Sequence, residues 1–211
     1  MRSNVLAAAL LLSPMAAIAA SPGPELGFRA AYSVPLGDIV GNGNGGTTQL
    51  SDLFSGGIPI QVDLGYRFTP AFYGGIFGSY GFLFPTNCDP SASCSGHNFR
   101  LGLNVQLHAA PDASIDPWLG LGVGYEWLSL SVSSGGQSQD ATLRGFELGN
   151  VQVGIDFAAS PGFRIGPFAS VSLAKYTDGS TAGVLGTSSG SLNDTKFHEW
   201  LQFGLRATFS P

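Results

Sequence analysis

The 211-residue sequence has few charges for its length, since only 11% of its residues are Asp, Glu, Lys or Arg, against about 25% in soluble domains. Its net charge of −5 and its lack of any Lys/Arg run exclude a nucleic-acid-binding surface, which needs grouped cations. The length fits one domain. A surface so poor in charge is expected to lie against lipid or to associate.

The first twenty residues have the features of an export signal. An apolar core over residues 5–12 follows a basic start, and small residues precede position 20. We expect a signal peptide over residues 1–20, cleaved after Ala19 or Ala20, and one domain over 21–211. A retained anchor is the alternative, but the apolar core is shorter than the ~20 residues that a spanning helix needs.

Eight later segments alternate apolar and polar residues with period two, which predicts β-strands. In chain order they are residues 26–34, 58–68, 72–84, 99–108, 118–127, 144–157, 164–173 and 198–209. In the second segment, for example, Val62 and Leu64 flank Asp63. The sixth segment changes phase over residues 144–150, which predicts a β-bulge.

The connections between these segments alternate in length. Short or moderate links at Thr69-Pro70, 110–116 and 160–162 alternate with four long ones, residues 36–57, 85–98, 132–143 and 176–197. Membrane β-barrels have short periplasmic turns and long extracellular loops. No long apolar stretch follows the signal, which excludes a helical membrane protein and leaves a closed barrel. The sequence thus predicts an all-β, eight-stranded antiparallel up-and-down transmembrane β-barrel.

A soluble lipocalin-like barrel is the alternative arrangement, since it also has eight strands and an export signal. That fold would place the apolar face inside. Here the polar face is rich in Gly and Ser and lacks the Lys/Glu density of a hydrated surface, whereas the apolar face is edged with aromatic residues. We therefore expect the apolar face to point outward to lipid.

The last segment resembles the C-terminal assembly signal of bacterial outer-membrane proteins at Gln202, Gly204, Ala207 and Phe209. The sequence departs from that signal because Ser210 and Pro211 follow the aromatic residue. Over about residues 25–209 the chain resembles the small OmpA/OmpX/OmpW-type barrels. The resemblance implies a location in the bacterial outer membrane, with outer-membrane lipid and the barrel-assembly machinery as partners.

Eight charged residues fall on the predicted lumen face: Arg29, Asp63, Arg67, Arg100, Glu126, Asp156, Arg164 and Arg206. An eight-stranded lumen is only wide enough for side chains to fill. We therefore expect a lumen ion-pair network, in preference to a transport path. The spacing predicts that Asp156 faces Arg164 across a turn, that Arg100 lies near Glu126, and that Arg29 and Arg206 lie beside Asp63.

Two of the long loops contain features that predict local structure. Cys88 and Cys94 are expected to form a disulfide in an oxidising compartment, because His97 alone adds too few ligands for a metal site. In the first loop, Leu50, Leu53 and Phe54 have helical spacing. They predict a short helical plug on the barrel rim, with ligand or partner binding as the alternative. The last loop, over residues 178–194, is expected to be mobile.

The leading functional hypothesis is a structural or surface-interaction barrel that presents its extracellular loops to an unknown surface ligand, without a cofactor. The alternative is a narrow channel for small or hydrophobic solutes, as the resemblance to OmpW-like proteins implies. A lipid-modifying enzyme is the third and least favoured hypothesis. The cluster His198-Glu199-Trp200 is the one suggestive group for it, and it lacks a recognisable nucleophile–base spacing, so we do not expect an enzyme.

Overall fold

A computed structural model of the chain describes residues 21–41, 46–183 and 186–211. The predicted signal peptide, residues 1–20, lies outside the described residues. The elements in chain order are β1 (Gly23–Gly41), β2 (Thr47–Gln49), α1 (Leu50–Leu53), β3 (Phe54–Thr69), β4 (Phe72–Pro85), β5 (Ser93–His108), β6 (Ile115–Ser134), β7 (Gln137–Ser160), β8 (Phe163–Gly183), β9 (Gly186–Ser191) and β10 (His198–Phe209). Among the described residues, no helix is long and apolar enough to cross a membrane.

Eight of the strands close into a barrel. They follow one another around the ring in the order β1, β3, β4, β5, β6, β7, β8 and β10, and every neighbouring pair is antiparallel. The ring closes between the first and last strands, where Leu26 lies opposite Phe209 and Gly37 lies opposite His198. The predicted eight-stranded up-and-down barrel is therefore confirmed.

The apolar side chains of the barrel strands point outward. Phe28, Leu103 and Leu205 are 51%, 59% and 58% exposed, whereas the intervening Arg29 and Arg206 are 4% and 2% exposed. This alternation arises because successive residues of a strand point to opposite faces. The continuous apolar exterior fits lipid, and the lipocalin-like arrangement is excluded.

Several strands extend beyond the membrane on the extracellular side. A spanning strand needs about 9–11 residues, whereas β7 has 24. The predicted loop over 132–143 is instead a hairpin that turns at Gly135 and Gly136, both with positive φ, as a two-residue type I′ turn requires. The predicted mobile loop over 178–194 contains the end of β8 and all of β9. Much of both predicted loops is therefore paired strand. The expected mobility of residues 178–194 stays a prediction.

The predicted irregularity in the sixth segment is present in β7. Phe146 and Leu148 point outward, and the outward phase resumes at Val151. The pairing of β7 with β8 shifts between Glu147 and Gly149. The bulge turns the Glu147 side chain into the lumen, where it is 1% exposed.

Candidate functional site

The periplasmic third of the lumen contains a connected set of ion pairs. Arg67 contacts Glu25 at 2.7 Å, and Arg206 contacts both Glu25 at 3.2 Å and Asp156 at 3.3 Å. The Trp118 indole donates to Asp156 at 3.1 Å and lies under the Arg206 guanidinium at 4.4 Å. Arg206 on β10 thus reaches Asp156 on β7 and Trp118 on β6, which are not neighbouring strands, so these side chains meet across the lumen.

The middle of the lumen is organised around Asp63 on β3. Arg29 from β1 pairs with Asp63 at 2.7 Å, Asn104 from β5 donates to it at 2.7 Å, and Gln61 donates to it at 3.0 Å. Arg29 also donates to Gln152 on β7. Both oxygens of the carboxylate thus accept hydrogen bonds, which offsets the cost of its burial.

The upper lumen contains two buried glutamates with different partners. Arg100 pairs with Glu147 at 3.2 Å, and Asn150 donates to the same carboxylate at 2.9 Å. Glu126 on β6 lies opposite Arg100 in the strand register and is 0% exposed. Glu147 therefore has an arginine partner, whereas the partners of Glu126 are neutral hydrogen-bond donors and a histidine.

The Glu126 carboxylate accepts hydrogen bonds from three other strands. Trp200 donates to Oε1 at 3.0 Å, Tyr176 at 3.1 Å and Asn98 at 3.2 Å. His198 Nε2 lies 3.3 Å from Oε2, and its ring stacks on Tyr176 at 4.1 Å between centroids. The Glu126 cluster, defined as these five residues, therefore ties β5, β6, β8 and β10 together near the outer mouth.

An apolar plug covers the Glu126 cluster on the extracellular side. Its buried residues are Ile39, Leu50, Phe54, Leu83, Leu128, Tyr176 and Trp200. Leu50 begins α1 and is 0% exposed, as is Phe54 directly after the helix. The predicted short helix over the first loop is confirmed, and its apolar side chains pack into the barrel mouth.

The structure pairs the predicted lumen residues differently from the sequence analysis. Asp156 contacts Arg206 and not Arg164, because the pairing of β7 with β8 sets Arg164 opposite Ala158. Arg164 instead lies 3.8 Å from Asp116 and donates to the Ala113 carbonyl at 3.3 Å, near the β5–β6 turn. The predicted Asp156–Arg164 pair is therefore not formed.

Arg100 and Glu126 are direct cross-strand neighbours, but they are not an ion pair. The Arg100 guanidinium reaches past β6 to Glu147 on β7. Arg29 lies beside Asp63 as expected, whereas Arg206 points toward the periplasmic end. The strand register thus sets the position of each charge along the barrel axis. The long arginine side chain then determines which carboxylate its guanidinium reaches.

Four buried ionisable residues were missed by the sequence analysis. Glu25 precedes the first predicted segment, Glu147 lies in the bulged stretch, and His108 and Asp116 lie at strand ends, where they contact each other at 2.7 Å. Extending the alternation by one residue at each segment end would have placed Glu25 on the lumen face. The outward residues Phe146 and Leu148 on either side of Glu147 are the signal that could have placed it in the lumen.

The comparisons with known proteins identify the fold. No family model matches the sequence, and no curated protein matches it. Among solved structures, Neisserial surface protein A aligns with a TM-score of 0.57 at 14% identity, over 90% of this chain and 97% of that chain. The chain has the fold of the small outer-membrane β-barrels.

Two further outer-membrane structures have the same architecture. A major outer membrane protein from Thermus thermophilus aligns at a TM-score of 0.53 and 11% identity, over 87% of this chain and 99% of that one. OprG from Pseudomonas aeruginosa aligns at 0.53 and 10% identity, over 92% and 100%. This fold and the lipid-facing exterior assign the chain to a bacterial outer membrane.

Other predicted residues of this outer-membrane β-barrel lie outside the lumen network. Cys88 and Cys94 form the predicted disulfide, with their Cα atoms 6.0 Å apart. Within that loop the Ser91 hydroxyl and amide donate to Asp89 at 2.6 and 2.8 Å, and these hydrogen bonds lower the pKa of the exposed carboxyl. The loop is thus held by a covalent bond and a local turn.

The C-terminal residues of the resemblance lie on β10. Gln202 points into the lumen and is 6% exposed, whereas Phe209 points outward and is 48% exposed. Gly204 pairs with Ala31, and Ala207 pairs with Phe28, so these residues lie at the seam that closes the barrel.

The cluster considered for catalysis is split between the two faces of the strand. His198 and Trp200 are buried in the lumen, whereas Glu199 is on the opposite face and half-buried. His198 and Trp200 both contact Glu126, so they belong to the Glu126 cluster.

Proposed function

We propose that this chain is a non-conducting outer-membrane β-barrel whose role lies at the cell surface, through its extracellular hairpins. The supporting observation is that bonds cross the lumen between strands that are not neighbours. Arg100 on β5 reaches Glu147 on β7, and Glu126 on β6 reaches Trp200 on β10. Such contacts occupy the space that a water-filled path would need.

The apolar plug adds a second barrier at the outer mouth. Leu50 and Phe54 from the α1 region pack beside Leu128 of β6 and Trp200 of β10. An ion that entered from outside would lose its hydration in this layer, without carboxylates or carbonyls aimed at it in exchange. An ion would therefore have to pass first the apolar plug and then the ion-paired layers below it.

The surface role rests on the strands that continue above the membrane. The β6–β7 hairpin pairs without interruption from Leu128 and Leu143 up to Ser134 and Gln137. The neighbouring hairpin is formed by the upper part of β8 paired with β9. These paired strands form a platform with defined shape, which suits contact with external molecules better than a set of irregular loops.

Planar-bilayer recording of the refolded mature protein tests the proposal. We expect no discrete conductance steps once folded protein is verified in the bilayer by its heat-dependent gel shift. A known porin in the same membrane is the positive control. Stable single-channel steps from the folded protein would contradict a closed lumen and favour a channel.

An apolar cavity at the outer mouth supports a second candidate function, the binding of a small apolar solute. The cavity has a volume of about 240 Å³ and lies between the plug and the inward face of the β6–β7 hairpin. Its lining includes Val40, Leu53, Leu130, Ala141 and Leu143. Cavities with apolar linings bind apolar molecules without needing a polar partner.

Filling the cavity tests this second candidate. Ala141→Phe is expected to abolish the fluorescence of a bound naphthylamine probe, because the new ring occupies the space. Ala182→Phe, on the neighbouring strand and outside the cavity lining, is the matched control. Equal probe binding by the two variants and the wild type would remove this candidate and leave the surface role.

A further inference from the structure

The cations of the described ranges divide into two groups by position. Five arginines lie within 4 Å of lumen carboxylates: Arg29, Arg67, Arg100, Arg164 and Arg206. The other three, Arg144, Lys175 and Lys196, lie at the extracellular end on or beside β7, β8 and β10. Lys196 pairs with Asp194 at 2.7 Å. Neither Arg144 nor Lys175 forms an ion pair with a carboxylate of residues 21–41, 46–183 or 186–211.

Arg144 and Lys175 continue two rows of outward aromatic residues. Arg144 lies directly opposite Trp127, whose ring is 5.5 Å from that of Phe99 on the next strand. Lys175 lies opposite Phe146, and its ammonium is 5.5 Å from the ring of Phe197. Outward aromatic rows mark the membrane–water interface of such barrels. Both cations therefore lie at the depth of lipid headgroups.

A polar groove adjoins Arg144 on the same outward surface. It has a volume of about 370 Å³, and its lining includes Tyr125, Arg144, Asp178, Ser180, Ser189 and Ser191. The serine hydroxyls can each donate a hydrogen bond. Asp178 is the one carboxylate in this lining, and it accepts a hydrogen bond from the Thr177 hydroxyl at 2.6 Å. The groove thus offers donors above a surface that is otherwise apolar.

We propose that Arg144, Lys175 and this groove bind the phosphorylated sugar headgroup of an outer-leaflet lipid. The two cations pair with a lipid phosphate, which Arg can bind in a bidentate manner. The serine hydroxyls of β8 and β9 meet the sugar, and the acyl chains lie along Phe146 and Leu148, which are 55% and 52% exposed. A lipid fits better than a soluble anion because the cations stand directly over apolar surface at the edge of the bilayer.

Native mass spectrometry of the detergent-refolded protein tests the assignment, with lipid A as the probe. This lipid is an acylated glucosamine disaccharide with two phosphates. We expect Arg144→Gln/Lys175→Gln to weaken its retention by about tenfold or more, since the variant removes both phosphate contacts. Lys196→Gln removes one exposed cation from the same end of the barrel and is the matched control, with retention unchanged. The heat-dependent gel shift verifies that each variant is folded.

Two further probes separate the sources of the phosphate. Dephosphorylated lipid A should bind the wild type as weakly as lipid A binds the double variant, and glucosamine phosphate without acyl chains should bind no better. Equal retention of lipid A by the double variant and the wild type would overturn the site. Equal retention of the dephosphorylated lipid would overturn the phosphate contact, and tight binding of glucosamine phosphate alone would overturn the assignment to a lipid.

Discussion

Removing the Glu126 carboxylate is expected to weaken the barrel strongly, although the residue is far from any surface. The side chain is fully buried, and its oxygens are the shared acceptor for Asn98, Tyr176 and Trp200. In Glu126→Ala those donors and His198 lose their common partner. The small side chain also leaves a cavity directly beneath the apolar plug.

The expected loss of stability follows from the number of buried hydrogen-bond donors that lose their acceptor in Glu126→Ala. Each buried donor without a partner costs about 1–3 kcal/mol, and relaxation of the cluster offsets part of that sum. Breaking a buried charged contact by removing one partner typically costs about 3–5 kcal/mol. We expect Glu126→Ala to lower the free energy of unfolding by about that amount. Glu126→Gln keeps an oxygen for the neutral donors and should lose roughly 1–2 kcal/mol.

Equilibrium unfolding in urea, with the protein refolded into lipid vesicles, measures this loss. Tryptophan fluorescence, to which Trp200 contributes beside Trp118 and Trp127, follows the unfolding, and the gel shift reports on the whole barrel. Gln106→Leu is the matched control in the same lumen. Gln106 is fully buried, and its amide oxygen and nitrogen have no partner among the described side chains. Its replacement should leave the stability unchanged or raise it.

If Glu126→Ala unfolds within about 1 kcal/mol of the wild type, the carboxylate does not stabilise the outer mouth. If Gln106→Leu destabilises as much as Glu126→Ala, the loss follows the removal of any buried polar group from the lumen and is not specific to the Glu126 hydrogen bonds.

Three further substitutions test other parts of the structure by the same unfolding assay. Arg206→Met removes the cation shared by two buried carboxylates and should lower the free energy of unfolding by about 3–5 kcal/mol; a change near zero would contradict the pairing. Gly162→Ala places a side chain at φ +69° in the β7–β8 turn and should lower it by about 1–2 kcal/mol, whereas an unchanged midpoint would mean that the turn relaxes. Replacing Cys88 and Cys94 with serine opens a link between residues six apart and should lower it by about 2 kcal/mol; no difference from the oxidised protein would mean that the loop is held by other contacts.

The membrane-spanning part of the barrel could be predicted from the sequence because each residue there faces either lipid or the lumen. The alternation of Val62, Asp63 and Leu64 records that division directly. Above the membrane the apolar residues of β6 change face, because Leu128 and Leu130 pack with the plug while Ser129 and Ser131 lie on the outward face. The extracellular hairpins were therefore predicted as loops.

The lumen residues could be predicted by parity, but their partners could not. Arg100 lies opposite Glu126 in the register and still pairs with Glu147 one strand farther on. In a narrow lumen a guanidinium reaches most of the opposite wall, so sequence neighbours have no advantage over distant ones. Glu25 and Glu147 supply the acids that the sequence analysis lacked, and both lie where the alternation starts or breaks.

The scarcity of charge in this chain follows from the two environments that its side chains meet. A cation in the lumen requires a buried carboxylate, and Arg29, Arg67, Arg100 and Arg206 each have one within 3.3 Å. A cation on the exterior is tolerated only where the apolar surface ends, which is the position of Arg144 and Lys175. If the lumen were a wide aqueous pore, its arginines would not need acids held this close. The pairing of the interior cations is therefore itself an argument that the barrel is closed.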